Sequence, residues 1–467
     1  MMSTKTISPE KPFEKAAIAS PTSTKPNTHI KPSMATFNNS QPITFTDISR
    51  ANVAIKSGII CTDVKRSHFL SQICGMNVWF KLEFNQFTGS FKERGARYTL
   101  LTLMNLDGFD KTKGVVAASA GNHALALAYH GGLLGIKITV VMPDVAPLAK
   151  VDKCRLLGAN VIIKGGHIGE SKIHAEKLVK TDGLTYVNGY DDKTICAGAG
   201  TVGMEIIEQV PCVDVVVVPV GGAGLIAGIS CAVKTLKPEC KVYGVEPAFA
   251  PSYTSAIKAG KPVTIEVTPT LADGLAVPLV GSNAFEIAKE FVDDCFLASE
   301  RDVSVACLRL IEHEKMVVEG GGAAGLTAIL PGGPLDIPEM KGKNVVIPLC
   351  GGNIDTTVLG RVIDRGLAAD NRLVRFVSTV SDRPGGIAQL TTLLAKNNAS
   401  IKDIYHERAW LHSSITNVQV KCVVELQGQA HAEQLKKALS DANYPTLWDM
   451  DMADSGDIPG TQAISTS

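Results

Sequence analysis

Nothing in these 467 residues approaches the roughly 18 to 20 consecutive apolar side chains that cross a bilayer, so no membrane segment is expected. There is no excess of charge of either sign: 46 Lys and Arg stand against 46 Asp and Glu. Without a net field the chain has no general attraction for nucleic acid or an anionic membrane. The eleven cysteines are scattered, odd in number and without a C-x-x-C pair. That excludes a disulfide framework or a zinc cluster and points to reduced thiols in a cytosol-like compartment. Arginine is missing from the first 40 residues, which are rich in Ser, Thr, Pro, Lys and Asn and show no periodic apolar face. Residues 1–40 and 451–467 are therefore expected to be disordered tails. The lysines and few acids of the first leave an organelle transit peptide as the alternative address.

What is present describes a globular protein of more than one domain, with 45% apolar and 20% charged residues. From about Phe45 to Ala368, buried strands alternate with amphipathic helices. Strands are expected at Val78–Leu82, Gly114–Ala118, Ile138–Met142, Val161–Ile163, Val213–Val218, Lys241–Val245 and Asn344–Pro348. Helices are expected at Asn122–Leu134, Ser171–Lys180, Val202–Gln209 and Leu225–Leu236. Continuous Val and Ile runs bounded by Gly and Pro mark strands covered on both faces, hence mainly parallel sheet. Ligands in such sheets collect beyond the carboxyl ends of the strands. The loops that matter are those after Ala118, after Val218 and after Leu349.

Three loops and one turn carry chemistry. Lys92 lies in Thr88-Gly89-Ser90-Phe91-Lys92-Glu93-Arg94-Gly95, a glycine-flanked polar turn that opens a helix. A lysine at a helix start is ordinarily solvated; here the turn presents it to a cleft. Gly221-Gly222-Ala223-Gly224-Leu225 follows a valine strand and precedes a helix, so backbone N–H groups can converge on a phosphate. With Glu246 at the end of the next strand, the same spacing also fits a dinucleotide fingerprint. Ser119-Ala120-Gly121-Asn122-His123 gathers polar groups at a helix start, suited to a carboxylate or a ring hydroxyl, although Ser119 as a helix cap would explain one of them. Cys350-Gly351-Gly352-Asn353-Ile354-Asp355 again sets small residues at a strand end, where Cys350 alone would read as an apolar filler.

Together the run Lys81–Ala96, the SAGNH and GGAGL loops and CGGNID resemble the serine/threonine dehydratases over about residues 45–368. The resemblance implies a fold-type II pyridoxal-phosphate enzyme of the tryptophan synthase beta-like kind, an α/β catalytic domain of two subdomains at 41–368. It implies elimination of water and ammonia from L-threonine to give 2-oxobutanoate, with L-serine as a second substrate. It implies that Lys92 is the Schiff-base lysine and Cα base, that Phe91 flanks the ring and that Asn122 contacts the ring oxygen. Gly221, Gly222, Ala223, Gly224 and Leu225 would hold the phosphate, and Cys350 would face the pyridine nitrogen. Ser119, Ala120, Gly121, Asn122 and His123 would receive the substrate carboxylate. Racemases of this family carry a serine where this chain has Ala120, so racemisation is not expected. Relatives that bind a divalent cation use positions matched by Glu246 and Ala250, but Ser252 replaces a second carboxylate. Ala199 in Ala197-Gly198-Ala199-Gly200-Thr201 departs from the usual glutamine without an evident consequence.

Gly366–Asn371 reads as a short linker. Beyond it a βαββαβ order over about 75 residues, assigned to 369–450, predicts a compact sheet with helices on one side. It resembles an ACT domain, with Asp382, Arg383, Pro384 and Gly385 at the turn that faces an effector. That resemblance implies a homo-oligomer, dimer or tetramer, under allosteric control by a small amino acid.

Overall fold

The computed structural model describes residues 42–408 and 415–448; the tails expected at 1–40 and 451–467 lie outside the described residues. In chain order the first ten strands are β1 (Val64–Arg66), β2 (Asn77–Lys81), β3 (Val115–Ala118), β4 (Ile138–Met142), β5 (Asn160–Ile163), β6 (Thr185–Tyr186), β7 (Val215–Pro219), β8 (Lys241–Pro247), β9 (Asp294–Ala298) and β10 (Asn344–Pro348). They are followed by β11 (Leu373–Ser381), β12 (Ser400–Glu407), β13 (Asn417–Glu425) and β14 (Thr446–Trp448).

The first ten strands divide between two sheets, ordered β1-β2-β10-β7-β8-β9 and β5-β4-β3-β6. Neighbours are parallel except β1, which runs antiparallel to β2. Every residue of β4 and β7 is buried, as expected of Val-rich strands with helices on both faces. The expected strands fall within a residue or two of those observed, whereas β1, β6 and β9 carried too little pattern to be read from the sequence. The SAGNH, GGAGL and CGGNID loops leave the carboxyl ends of β3, β7 and β10, as the strand-end rule requires.

The helix expected at Val202–Gln209 starts nine residues earlier, at Lys193. Its AGAGT stretch is the contact face between two other helices. A Cβ on Gly198 would lie 2.6 Å from the Arg94 carbonyl, and one on Gly228 would lie 2.4 Å from the Cys196 carbonyl. Glycine therefore lets the Lys92 helix, the Lys193 helix and the Gly224–Leu236 helix pack backbone to backbone. A fully buried ionic cluster fastens the same junction: Arg94 bonds Glu83 at 2.7 Å and Glu205 at 2.6 Å, and Lys81 also pairs with Glu205. The position of the Lys92 turn is thus set by packing well beyond the turn itself.

The expected linker at Gly366–Asn371 is instead the end of a helix, Thr356–Ala369. Gly366 is there for close approach, since a Cβ would come 2.9 Å from the Ser304 carbonyl of the neighbouring Glu300–Arg309 helix. Arg309 then pairs with Asp370 at 2.6 Å, fixing the helix end. Beyond it lies the ACT-like unit, an antiparallel sheet ordered β12-β13-β11-β14 with the helices Gly386–Lys396 and Gln429–Asp441. Val418, Val420, Cys422 and Val424 alternate along β13 and join Leu390, Leu394, Leu435 and Leu439 in one core. The period-2 pattern therefore reports the covered face correctly.

Candidate active site

The Lys92 turn is stitched to the loop after β10. Phe91 N–H donates to the Cys350 carbonyl at 3.1 Å, and Gly352 N–H donates to the Gly89 carbonyl at 3.0 Å. Lys92 is consequently the first residue of its helix and reaches into a cavity of about 850 Å³. Its Nζ donates to the Gly189 carbonyl at 2.6 Å. Burial lowers its pKa to about 8, against smaller opposing effects of Cys196, Cys350 and Glu319. Desolvation thus favours the free amine, the form that acts as nucleophile or base.

The same cavity is lined by Phe91, Ser119, Ala120, Gly121, Asn122, His123, Gly221, Gly222, Ala223, Gly224, Leu225 and Cys350. All candidate residues for cofactor and substrate therefore meet in one place. Ser119 does not cap the following helix in the usual way: its Oγ accepts from Gly121 N–H at 3.4 Å, and the Asn122 helix has no side-chain cap. Its first N–H groups remain available to an anion. His123 sits with Nε2 3.4 Å from the Val187 carbonyl, and its pKa falls to about 3 through burial and the nearby Lys92. A neutral imidazole adds no charge to a carboxylate site. Its Nδ1 is buried without a hydrogen-bond partner among the described residues.

At the GGAGL loop, Ala223 takes the left-handed conformation (φ 69°) and the Gly224–Leu236 helix begins without a side-chain cap. Cβ atoms on Gly222 and Gly224 would collide with Tyr190, at 2.3 Å from its ring and 2.1 Å from its carbonyl. The glycines are required because the Asn188–Asp192 loop presses on this turn, not only because a ligand does. Cys350 is buried, burial pushes its thiol well above the usual range, and Sγ contacts the Pro348 carbonyl at 3.3 Å.

Matched against known proteins, residues 55–351 fit the model of the pyridoxal-phosphate dependent enzymes. The chain belongs to that family. It is 39% identical over 402 residues to a Thermotoga maritima protein named L-threonine ammonia-lyase, covering 86% of this chain and 98% of that protein. Among solved structures it is similar to the processed form of threonine deaminase isoform 2 from Solanum lycopersicum, with a TM-score of 0.64, 32% identity and 72% and 98% of the two chains covered. Maize serine racemase is comparable, with a TM-score of 0.64, 30% identity and coverage of 70% and 98%.

The cavity fits the cofactor of this family on its own geometry. An uncapped 13-residue helix opens onto it for a phosphate, and a Cβ on Gly121, in another loop of the same lining, would meet nothing within 4 Å. A neutral thiol and a poised lysine line the same cavity. The dinucleotide alternative loses its acid, because both Glu246 oxygens accept backbone N–H groups of Tyr253 and Thr254 at 2.9 Å, at the start of the Ser252–Ala259 helix. Glu246 and Ala250 are outside the cavity lining, and no group of three or more His, Cys, Asp or Glu among the described residues is arranged to hold a metal. No helix among those residues is long and apolar enough to cross a membrane.

Two parts of the site escaped the sequence. Glu319 lines the cavity and accepts from Asn122 Nδ2 at 2.6 Å; burial, reinforced by Asp273, raises its pKa to about 7. Its signal was a single acid between the apolar Met316–Val318 and three glycines. Gly189, the acceptor for Lys92, lies in an Asn-Gly turn whose Asn188 side chain accepts from Tyr190 and Asp191 N–H at 3.0 and 3.2 Å. That turn was visible, but nothing local tied it to Lys92. Asp382 is outside the cavity lining, in the ACT-like unit, where Arg408 bonds it at 2.9 Å. Gly385 there takes φ 98° to begin the following helix.

Proposed function

We propose that this protein is a pyridoxal-phosphate-dependent L-threonine ammonia-lyase, forming 2-oxobutanoate and ammonia, with L-serine to pyruvate as a second reaction. The observation that carries the reading is the poised Lys92 amine, which shares one cavity with an uncapped carboxylate-type loop and an uncapped phosphate-type helix. Coverage of 98% of a relative named as an L-threonine ammonia-lyase supports the choice of substrate.

When bound, the cofactor supplies the electron sink that lets an amino acid lose its Cα proton. Gly221–Leu225 would hold the phosphate through backbone N–H groups, and Asn122 the ring oxygen. The helix-start N–H groups and hydroxyl of Ser119–His123 would turn the substrate carboxylate so that Cα–H faces Lys92. Held near the Gly189 carbonyl and disfavoured as an ammonium, Lys92 takes that proton. Cys350, a neutral thiol, cannot keep a facing pyridine nitrogen protonated as a carboxylate would. That steers the reaction to loss of the β-hydroxyl as water, after which hydrolysis of the released enamine yields the 2-oxo acid and ammonia.

Similarity to a serine racemase makes racemisation the second reading. Ala120 counters it, since a methyl brings no exchangeable proton to that wall of the cavity. Dehydration of 3-hydroxyaspartate is a related alternative, because Lys150, His167 and Lys172 line the same cavity and would meet a second carboxylate. The ACT-like unit is the proposed allosteric domain, within a homo-oligomer, with Asp382, Arg383, Pro384 and Gly385 as its effector turn. Assaying threonine, serine and 3-hydroxyaspartate side by side, with and without isoleucine or valine, tests these assignments. Threonine should be turned over fastest, and Asp382→Ala should remove the effector response alone. Protein that shows no cofactor absorption, or a band that survives Lys92→Ala, would sink the central reading.

A further inference from the structure

Of the CGGNID motif, Cys350 alone has a part in the reading above, yet Asn353 is the residue that touches most of the site's components. Its Nδ2 donates to the Thr88 carbonyl at 2.7 Å and to Asn122 Oδ1 at 2.8 Å. Its Oδ1 accepts from Lys153 Nζ at 3.1 Å. Gly89, at φ 80°, makes room for it: a Cβ there would lie 2.9 Å from Asn353 Oδ1. One amide thus joins the turn before Lys92, the helix that starts at Asn122, the Leu148–Leu156 helix that carries Lys153, and the strand-end loop after β10.

The direction of these bonds follows from chemistry. An ammonium only donates and a carbonyl only accepts, so Lys153 and Thr88 leave Asn353 a single orientation. Its second Nδ2 hydrogen must then meet an acceptor, which makes Asn122 present Oδ1 to it. Asn122 Nδ2 is left to face the other way, towards Glu319 and the cavity. We propose that Asn353 is a positioning residue that fixes the amide of Asn122 with its N–H, rather than its carbonyl, turned to the cavity. This rests on the reading of Asn122 as the partner of the cofactor's ring oxygen, an acceptor that a reversed amide would repel.

Reversing the instruction tests it in the cofactor-loaded enzyme. Asn353→Asp puts an acceptor in place of the Nδ2 that faces Asn122 Oδ1, so the amide of Asn122 should turn over. The pH midpoint at which the bound cofactor's absorption changes should move upward by about one unit, because a donor to the ring oxygen is lost. Asn353→Ala, which imposes neither sense, should give a smaller shift in the same direction. Combining Asn353→Asp with Glu319→Gln gives the reversed amide a partner on each side. Compared with Glu319→Gln alone, the double variant should regain the melting temperature lost in Asn353→Asp while its spectral midpoint stays displaced. An unshifted midpoint in Asn353→Asp, or a midpoint that returns together with stability, overturns the proposal. Asn122→Ala separates the two layers. If it moves the midpoint and Asn353→Asp does not, only the positioning role fails. If Asn122→Ala leaves the midpoint unchanged, the ring-oxygen reading fails and takes this proposal with it.

Discussion

Lys92 and Arg94 lie two residues apart on one helix, Arg94 fully buried and Lys92 part-buried at the cavity wall, and meet opposite treatment. Two residues are about 200° of helix rotation, so the side chains leave on opposing faces. Arg94 enters a cluster with Glu83, Glu205 and Thr201 that satisfies its guanidinium and raises its pKa. Lys92 finds one backbone carbonyl, with no carboxylate bonded to it, and its pKa falls. The contrast separates a structural cation from a chemical one. Paired buried charge is held in its charged form, whereas underpaired burial leaves a group near the pH at which proton transfer is useful.

Lys92→Met should break the comparison at its reactive end. Turnover should fall by at least about 10³-fold, the range expected when a group that moves a proton is removed. The cofactor-free variant should also resist urea better than wild type at pH 7. A folded pKa of about 8 against 10.5 means that the unfolded chain binds the extra proton, so wild-type stability is deficient below pH 8 and recovers between 8 and 10.5.

Arg94→Met strikes the other end. It strands two buried carboxylates, Glu83 and Glu205, and should cost about 3 to 5 kcal/mol in denaturant unfolding. If it proved neutral, the cluster would not be what fixes the helix.

Glu319 sharpens the same contrast from the acid side. Its native pKa of about 7 exceeds the ordinary 4.5, so the unfolded chain releases its proton first as pH rises. Stability should fall between pH 4.5 and 7 by up to about 3 kcal/mol, and Glu319→Gln should remove that decline in urea titrations of the cofactor-free protein. A Gln variant that keeps the wild-type slope would assign the pH dependence to other groups.

The smallest effect expected is at Gly366→Ala, where about 1 to 3 kcal/mol reflects overpacking between two helices. It should leave the cofactor band unchanged, since the contact is with Ser304 and Leu308 rather than the cavity.

Legibility tracked the range of the forces involved. The Val-rich strands could be read because burial on both faces imposes a local pattern, and the Asn122–Leu134 helix, buried at His123–Ala128 in succession, because its Ala and Leu run starts after Gly121 and ends at Gly135. The short β1 and β6, of three and two residues, impose none. Gly366 looked like a flexible break because glycine in sequence does not reveal whether it supplies freedom or closeness; the Ser304 carbonyl decides for closeness. Lys92, Asn122, Cys350 and the GGAGL loop stood out because each sits at a strand or helix end with a distinctive residue type. Glu319, Gly189 and Asn353 did not stand out as partners, since their roles arise from contacts across 197, 97 and 231 residues of chain.

The amino-acid order by itself determined the parallel α/β class, the ACT-like βαββαβ unit and the residue types at each strand end, because these follow from periodicity and local turn chemistry. Only the tertiary structure decided which of the buried titratable groups would be neutralised by partners and which would be left underpaired. That choice depends on desolvation and on charges brought together from distant segments, and it is what lowers the pKa of Lys92 while raising that of Arg94 two residues later.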